Sequence, residues 1–398
     1  MWPQQPQEAV EYMWLDTCCI DKRSSAELSE AINAMYGYYN HAQICFAHLA
    51  DLHAAEVDRD SLPPEVERMM QGSVWFTGGW TLQEMIAPKR ILFCDDDWRF
   101  FAHKCRNIWM RGEYKHDCNE LPTSCHVNEV VGKITGVTLR VVNGVHYARH
   151  DRRQVLFQKP TALEIFGWAS RRTTSRVEDM SYCLLGLLGI NMPLLYGEGL
   201  LAFRRLQEQI IFNTSDDSFF AFHSVESYRT AARIRAKSLR DFVCVSYWDP
   251  PSSAILSYLE SNDNRDSGTK IINNGTLQLH TWALRLHGPK GTWRKYWLVP
   301  VSVFVQAWDG KHADRIQFAV VLETSDVGSW YYRVSDARLP NNIYKCAVNI
   351  GESFYTGSKW HICRWRQAWE FLKAVPTWTA RKQSFIIELT PQDWNPLA

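Results

Sequence analysis

The stretch at residues 12–51, YMWLDTCCIDKRSSAELSEAINAMYGYYNHAQICFAHLAD, decides the fold, because it sets an apolar run, an amphipathic helix and a second apolar run in succession. The run 12–15, which contains Trp14, ends at Asp16. That is the pattern of a buried strand in a parallel sheet whose carboxyl end delivers polar residues. Ser24 and Glu27 stand at capping-box spacing, and Leu28, Ile32, Met35, Tyr36 and Tyr39 follow every three or four residues. This predicts a helix with one face packed on the sheet. Residues 43–49 read as a second strand, Pro63 and Pro64 open a helix around 65–70, and 90–94 read as a third strand before the acidic turn 95–97. Strand, helix, strand, helix, strand is an α/β order, with a parallel sheet flanked by helices.

Further along, 103–151 is weakly patterned apart from a short helix at 128–135. Residues 161–170 and 176–188 read as helical, and 202–212 place Phe203, Leu206 and Ile210 on one face. After about residue 224 the texture changes to aromatic and β-branched runs at 277–286, 296–308 and 316–323, which predict antiparallel sheet. Residues 261–268, SNDNRDSG, read as a surface loop.

A chain of 398 residues with 46% hydrophobic residues has room for two or three domains with a core each. With 44 Lys and Arg against 43 Asp and Glu the net charge is +1, so no general field draws it to phosphate backbones, and no nucleic-acid partner is expected. The 11 cysteines are scattered without a CxxC, as free thiols in a reducing cytosol would be. The first residues, MWPQQPQEAV, lack the basic and apolar regions of a secretory signal. The longest apolar stretch, 296–308, falls well short of the ~20 residues of a membrane helix and contains Pro300. A cytoplasmic protein without a membrane span is expected.

Three blocks carry a resemblance. Residues 12–51 look like the second motif region of the heterokaryon-incompatibility (HET) domain of fungal vegetative-incompatibility proteins. Residues 75–98, WFTGGWTLQEMIAPKRILFCDDDW, resemble its third, and 171–210, RRTTSRVEDMSYCLLGLLGINMPLLYGEGLLAFRRLQEQI, resemble the helical segment that often follows it. The family usually begins with a strand upstream of the first block, and only eleven residues precede Tyr12 here, so an N-terminally truncated domain lacking its first strand is expected. Gly78 stands where the family usually has Arg. The resemblance implies a truncated HET domain at 1–110, similar to Toll/interleukin-receptor (TIR) domains, a mostly helical segment at 111–223 and a β-rich domain of unknown role at 224–398. It also implies a signalling module of non-self recognition that triggers programmed cell death. The chain has no P-loop, so it lacks the nucleotide-binding module of larger relatives.

The motif residues Trp14, Asp16, Cys19, Ile20, Asp21, Trp80, Thr81 and Gln83 are expected around a pocket at the carboxyl ends of the strands, where Asp16, Asp21 and Glu84 share a crevice. The run 80–85, WTLQEM, resembles the Trp-Cys-x-x-Glu-Leu stretch of TIR domains, in some of which the matching Glu cleaves the nicotinamide–ribose bond of NAD. The resemblance thus makes Glu84 the catalytic candidate and NAD a substrate rather than a cofactor. A carboxylate suits the reaction, because bond breaking builds oxocarbenium character that negative charge stabilises. The plainer alternative is that Glu84 pairs within its helix and Trp80 fills core. A third outcome is a degenerate paralogue with no activity.

Cys18 and Cys19 sit where a thiol could be activated, but no His lies near them in sequence, and buried packing is expected. His116, Cys118, Cys125 and His126 hold zinc-ligand chemistry at poor spacing, so no metal is expected. Glu178 and Asp179 beside Arg171, Arg172 and Arg176 read as solvated pairs, 196–199 as a helix stop, and the basic run from Arg229 to Arg240 as a solvated face. Protein partners or self-association remain the expected mode of signalling.

Overall fold

A computed structural model describes residues 12–54, 62–110, 113–116, 121, 125–144, 147–148, 155–156, 160–214, 216, 218–221 and 236–242, and beyond these a set of strands between 255 and 388. The chain divides into two compact units, residues 1–160 with 171–202, and residues 161–170 with 203–398.

The first unit departs from expectation at its start. Residues 12–15 form no strand, and Tyr12 and Met13 are 87% and 70% exposed. The chain turns instead into a short helix, α1 (Asp16–Cys19), whose opening carbonyl, that of Leu15, accepts the Cys19 N–H at 2.8 Å. The apolar run misleads because its aromatic member packs sideways. Trp14 meets the rings of Tyr38 and Tyr39 at 5.1 and 5.5 Å.

Helix α2 (Ser25–His41) starts as its sequence dictates, the Ser24 side chain accepting the Glu27 N–H. Glu27 reaches back further than a capping box requires and accepts the Asp21 N–H at 2.9 Å. Ala31, Ile32 and Met35 are buried, while Tyr36 and Tyr39 are half-buried at the rim of that face.

β1 (Cys45–His48) runs parallel to β2 (Arg90–Cys94), joined through α3 (Pro64–Gly72), a 3-10 turn at Val74–Thr77 and α4 (Thr81–Ile86). β3 (Phe100–Cys105) then lies antiparallel on the far side of β2. The expected parallel sheet is therefore a mixed one, with one parallel and one antiparallel pair. β3 was hidden because His103 and Lys104 read as loop, yet both are fully buried. The core lies around Phe93, which is 0% exposed and meets the rings of Trp75, Phe76 and Phe101. Burying such a ring contributes about 1.5–3 kcal/mol. A hairpin of Asn107–Met110 with Glu113–His116 and the helices α5 (Asn128–Thr135) and α6 (Leu139–Val142) follow.

Residues 171–202 close this unit. The Gly79 N–H donates to the Thr173 carbonyl at 2.8 Å, and the Thr173 N–H to that of Thr77 at 2.9 Å. Glycine is required at two close approaches, since a Cβ on Gly79 would overlap Thr174 and one on Gly186 would overlap Tyr36. The region 176–188 is not one helix but two short ones, Asp179–Tyr182 and Leu185–Leu188. Glu178 and Asp179 are buried rather than solvated. Glu178 accepts the N–H groups of Gly197 and Gly199 at 2.8 and 2.9 Å, and Asp179 accepts the Tyr196 hydroxyl at 2.9 Å.

In the second unit, helix Ala162–Ala169 opens on a reciprocal cap between Thr161 and Glu164, and Phe166 packs on Phe203, Phe219 and Phe242. Phe203, Leu206 and Ile210 are buried, as their spacing implies. Thr276–Leu286 pairs antiparallel with Ala380–Glu388 and with Lys295–Trp308, which in turn pairs antiparallel with Ala313–Thr324. The segments 261–268 and 229–235 lie outside the described residues. No helix among the described residues is long and apolar enough to cross a membrane.

Candidate functional site

The register of α4 sends Leu82, Met85 and Ile86 into the core and leaves Glu84 half-buried at its edge. Burial of the carboxyl pushes it up to about 7, and the charge of Asp16 on α1 adds to this. Two groups oppose the shift by favouring the ionised form. Tyr39 of α2 donates its hydroxyl to the carboxylate, and Arg172 acts on it through its charge. Trp14 stands edge-on to Tyr39 and fixes that ring.

Arg172 is itself buried, which lowers it to about 10. Its Nη1 donates to the Gly78 carbonyl at 2.7 Å and to the Thr81 hydroxyl at 3.1 Å. Its Nη2 has no hydrogen-bond partner among the described residues. The cation that the family resemblance assigns to position 78 is absent there, and Arg172 sets a guanidinium against the Gly78 carbonyl from a remote segment. Below Glu84, burial and then Glu84 itself push Cys45 up to about 12, while the Lys104 cation opposes that shift. Lys104 donates to the Pro88 carbonyl at 2.9 Å, and burial, followed by Arg106, lowers it to about 7.

These groups gather at the amino ends of β1 and β2, since Cys45 opens β1 and Pro88 precedes β2. That corrects the expectation of a crevice at the carboxyl ends. Asp16 does act on Glu84, but Asp21 does not join them, and its carboxylate is held below the usual range by Arg23 at 2.9 Å. Cys18 and Cys19 are exposed rather than packed, and Cys19 Sγ accepts the Leu15 N–H at 3.4 Å. Ile20 is buried. Trp80 does more than fill core, because its indole N–H donates to Asp179. Thr81 binds the turn before α4, its hydroxyl lying 2.5 Å from the Trp75 carbonyl. Gln83 is buried and donates to Met35 Sδ at 3.1 Å, which ties α4 to α2.

Among the zinc-type residues, the rings of His126 and His103 lie 5.5 Å apart and Cys125 is buried, while Cys118 lies outside the described residues. Tyr39 and Arg172 are the members of the site that sequence reasoning did not assign. Tyr39 carried a signal, a hydroxyl on the buried side of a helix, whereas nothing local marks Arg172. The arrangement gives a carboxyl near its midpoint at neutral pH, able to act as base or acid, beside a buried cation with a spare donor.

A family model for heterokaryon incompatibility protein (HET) matches residues 4–71. That span holds Trp14, Asp16, Cys19, Ile20 and Asp21, and ends before Trp80 and Glu84. The chain is similar to the vegetative incompatibility protein HET-E-1 of Podospora anserina, with 35% identity over 204 residues, covering 50% of this chain and 12% of that relative. The chain thus corresponds to a small part of the relative's length. No solved structure matches it.

Proposed function

We propose that this chain is a cytoplasmic signalling module of fungal non-self recognition, whose activation triggers programmed cell death through protein partners or its own copies. The observation that carries this reading is the 35% identity over 204 residues to a vegetative incompatibility protein. In this reading the chain has three functional parts, a HET domain at 1–110, a mostly helical segment at 111–223 and a β-rich domain at 224–398. Induced expression in a filamentous fungus tests it. Viable colony counts should fall steeply relative to an empty vector, and equal counts would contradict the reading.

A second reading is favoured by a specific observation, the half-buried Glu84 held near neutrality beside Tyr39 and Arg172. In this reading the N-terminal unit is TIR-like and Glu84 stabilises the positive charge that builds on the ribose as the nicotinamide bond of NAD breaks. NAD is then the substrate, and its depletion or product kills the cell. Purified chain should consume NAD, and Glu84→Gln should abolish turnover without unfolding the protein. Turnover unchanged in that variant rules the enzyme reading out. Folded protein that neither kills nor consumes NAD would be a degenerate paralogue.

A further inference from the structure

The opposite end of the parallel pair carries a second group of polar side chains that the proposed function does not use. The loop after β1 brings up His53, and the turn after β2 brings up Asp96 and Asp97. The backbone ties the two loops together, the Asp96 N–H donating to the Leu52 carbonyl at 2.9 Å and the Leu49 N–H to that of Cys94 at 2.9 Å. His53 Nδ1 then lies 2.8 Å from Asp96 Oδ1 and 3.9 Å from Asp97 Oδ2, and the three ligand atoms fit within 4.8 Å of one another.

A second observation concerns Asp95, which is 0% exposed. Its Oδ1 accepts the N–H groups of Asp97 and Arg99, but its Oδ2 is buried without a hydrogen-bond partner among the described residues. A buried carboxylate oxygen left unpaired is costly unless positive charge stands near it. Its charge bears on His53. Asp96 and Asp97 thus face one imidazole with the buried Asp95 next to them in sequence, and Arg99 reaches Asp97 at 3.4 Å, exposed to solvent.

We propose that His53, Asp96 and Asp97 bind a divalent cation of the manganese type, with the buried Asp95 carboxylate supplying charge behind them. One imidazole and two carboxylates form a nitrogen–oxygen set that suits Mn2+ and leaves the solvent-facing positions to water. The ion takes the place of the hydrogen bond between His53 Nδ1 and Asp96 Oδ1. The carboxyl ends of parallel strands are where open α/β sheets receive ligands, and this site lies there. It is separate from Glu84 and does not depend on the enzyme reading.

Mn2+ alone is the probe, because it ignores the free thiols that would take up zinc. Electron paramagnetic resonance of the full chain titrated with MnCl2 should show one bound ion per chain. His53→Ala, Asp96→Asn and Asp97→Asn replace exposed side chains, so they should fold, and each should weaken binding about tenfold or more. Glu208→Gln, on the helix Leu201–Asn213, should leave binding unchanged. Absence of bound Mn2+ at about 1 mM, or binding equal in Asp96→Asn and the parent, overturns the proposal.

Discussion

The two ends of the parallel pair β1–β2 carry similar side chains in opposite surroundings. At the amino end Glu84, Cys45, Lys104 and Arg172 are withdrawn from water, and burial moves every one of them from its ordinary titration range. At the carboxyl end His53, Asp96 and Asp97 stand in solvent, where His53 is raised by the Asp96 hydrogen bond and charge rather than by burial. Burial thus separates Glu84 from Asp96 and Asp97, although Asp95, beside them at the carboxyl end, is also withdrawn from water. The buried end suits proton transfer, and the exposed end suits ion exchange.

The strongest way to break this contrast is to remove the buried cation. Arg172→Met leaves the Gly78 carbonyl and Thr81 without their donor and Glu84 without its compensating charge, and should cost about 3 kcal/mol in urea unfolding. A loss too small to resolve would mean that Arg172 is not the brace between the two segments.

Glu84→Gln should act with opposite sign. The carboxyl titrates at 4.5 when unperturbed and at about 7 in the folded chain, so the folded state disfavours its ionised form. That cost is absent below pH 4.5, grows between 4.5 and 7, and is fully present above. The Gln variant should therefore match the parent at pH 4 and exceed it by about 2 kcal/mol at pH 8, as thermal unfolding at the two pH values would show.

Tyr39→Phe removes a donor to the ionised carboxylate, so the Glu84 midpoint should move upward and stability at pH 8 should drop by about 1 kcal/mol. The smallest effect belongs to the exposed end. His53→Ala should leave the melting temperature unchanged, because solvent screens its pair with Asp96.

Much of this was legible in the sequence because local signals governed it. The Ser24 cap, the Ile32 and Met35 face and the apolar run at 90–94 each specify an element without reference to distant residues. Asp16 and Glu84 were also brought together as expected, though at the other end of the sheet. What failed was governed by contacts remote in sequence. Residues 12–15 looked like a strand until Trp14 found Tyr38 and Tyr39, and β3 looked like loop because Lys104 is hidden by a carbonyl sixteen residues away. Arg172 reaches the site from 91 residues beyond Thr81, and no local pattern announces that.

The contrast between the ends rests above all on the titration of one carboxyl. Carbon-13 NMR of the Glu84 side chain across pH 3–10, assigned with Glu84→Gln, measures it directly. A midpoint near 7 is the result the structure predicts. A midpoint near the unperturbed 4.5 would place Glu84 in water like Asp96 and Asp97, and would remove the physical basis for giving it a catalytic role.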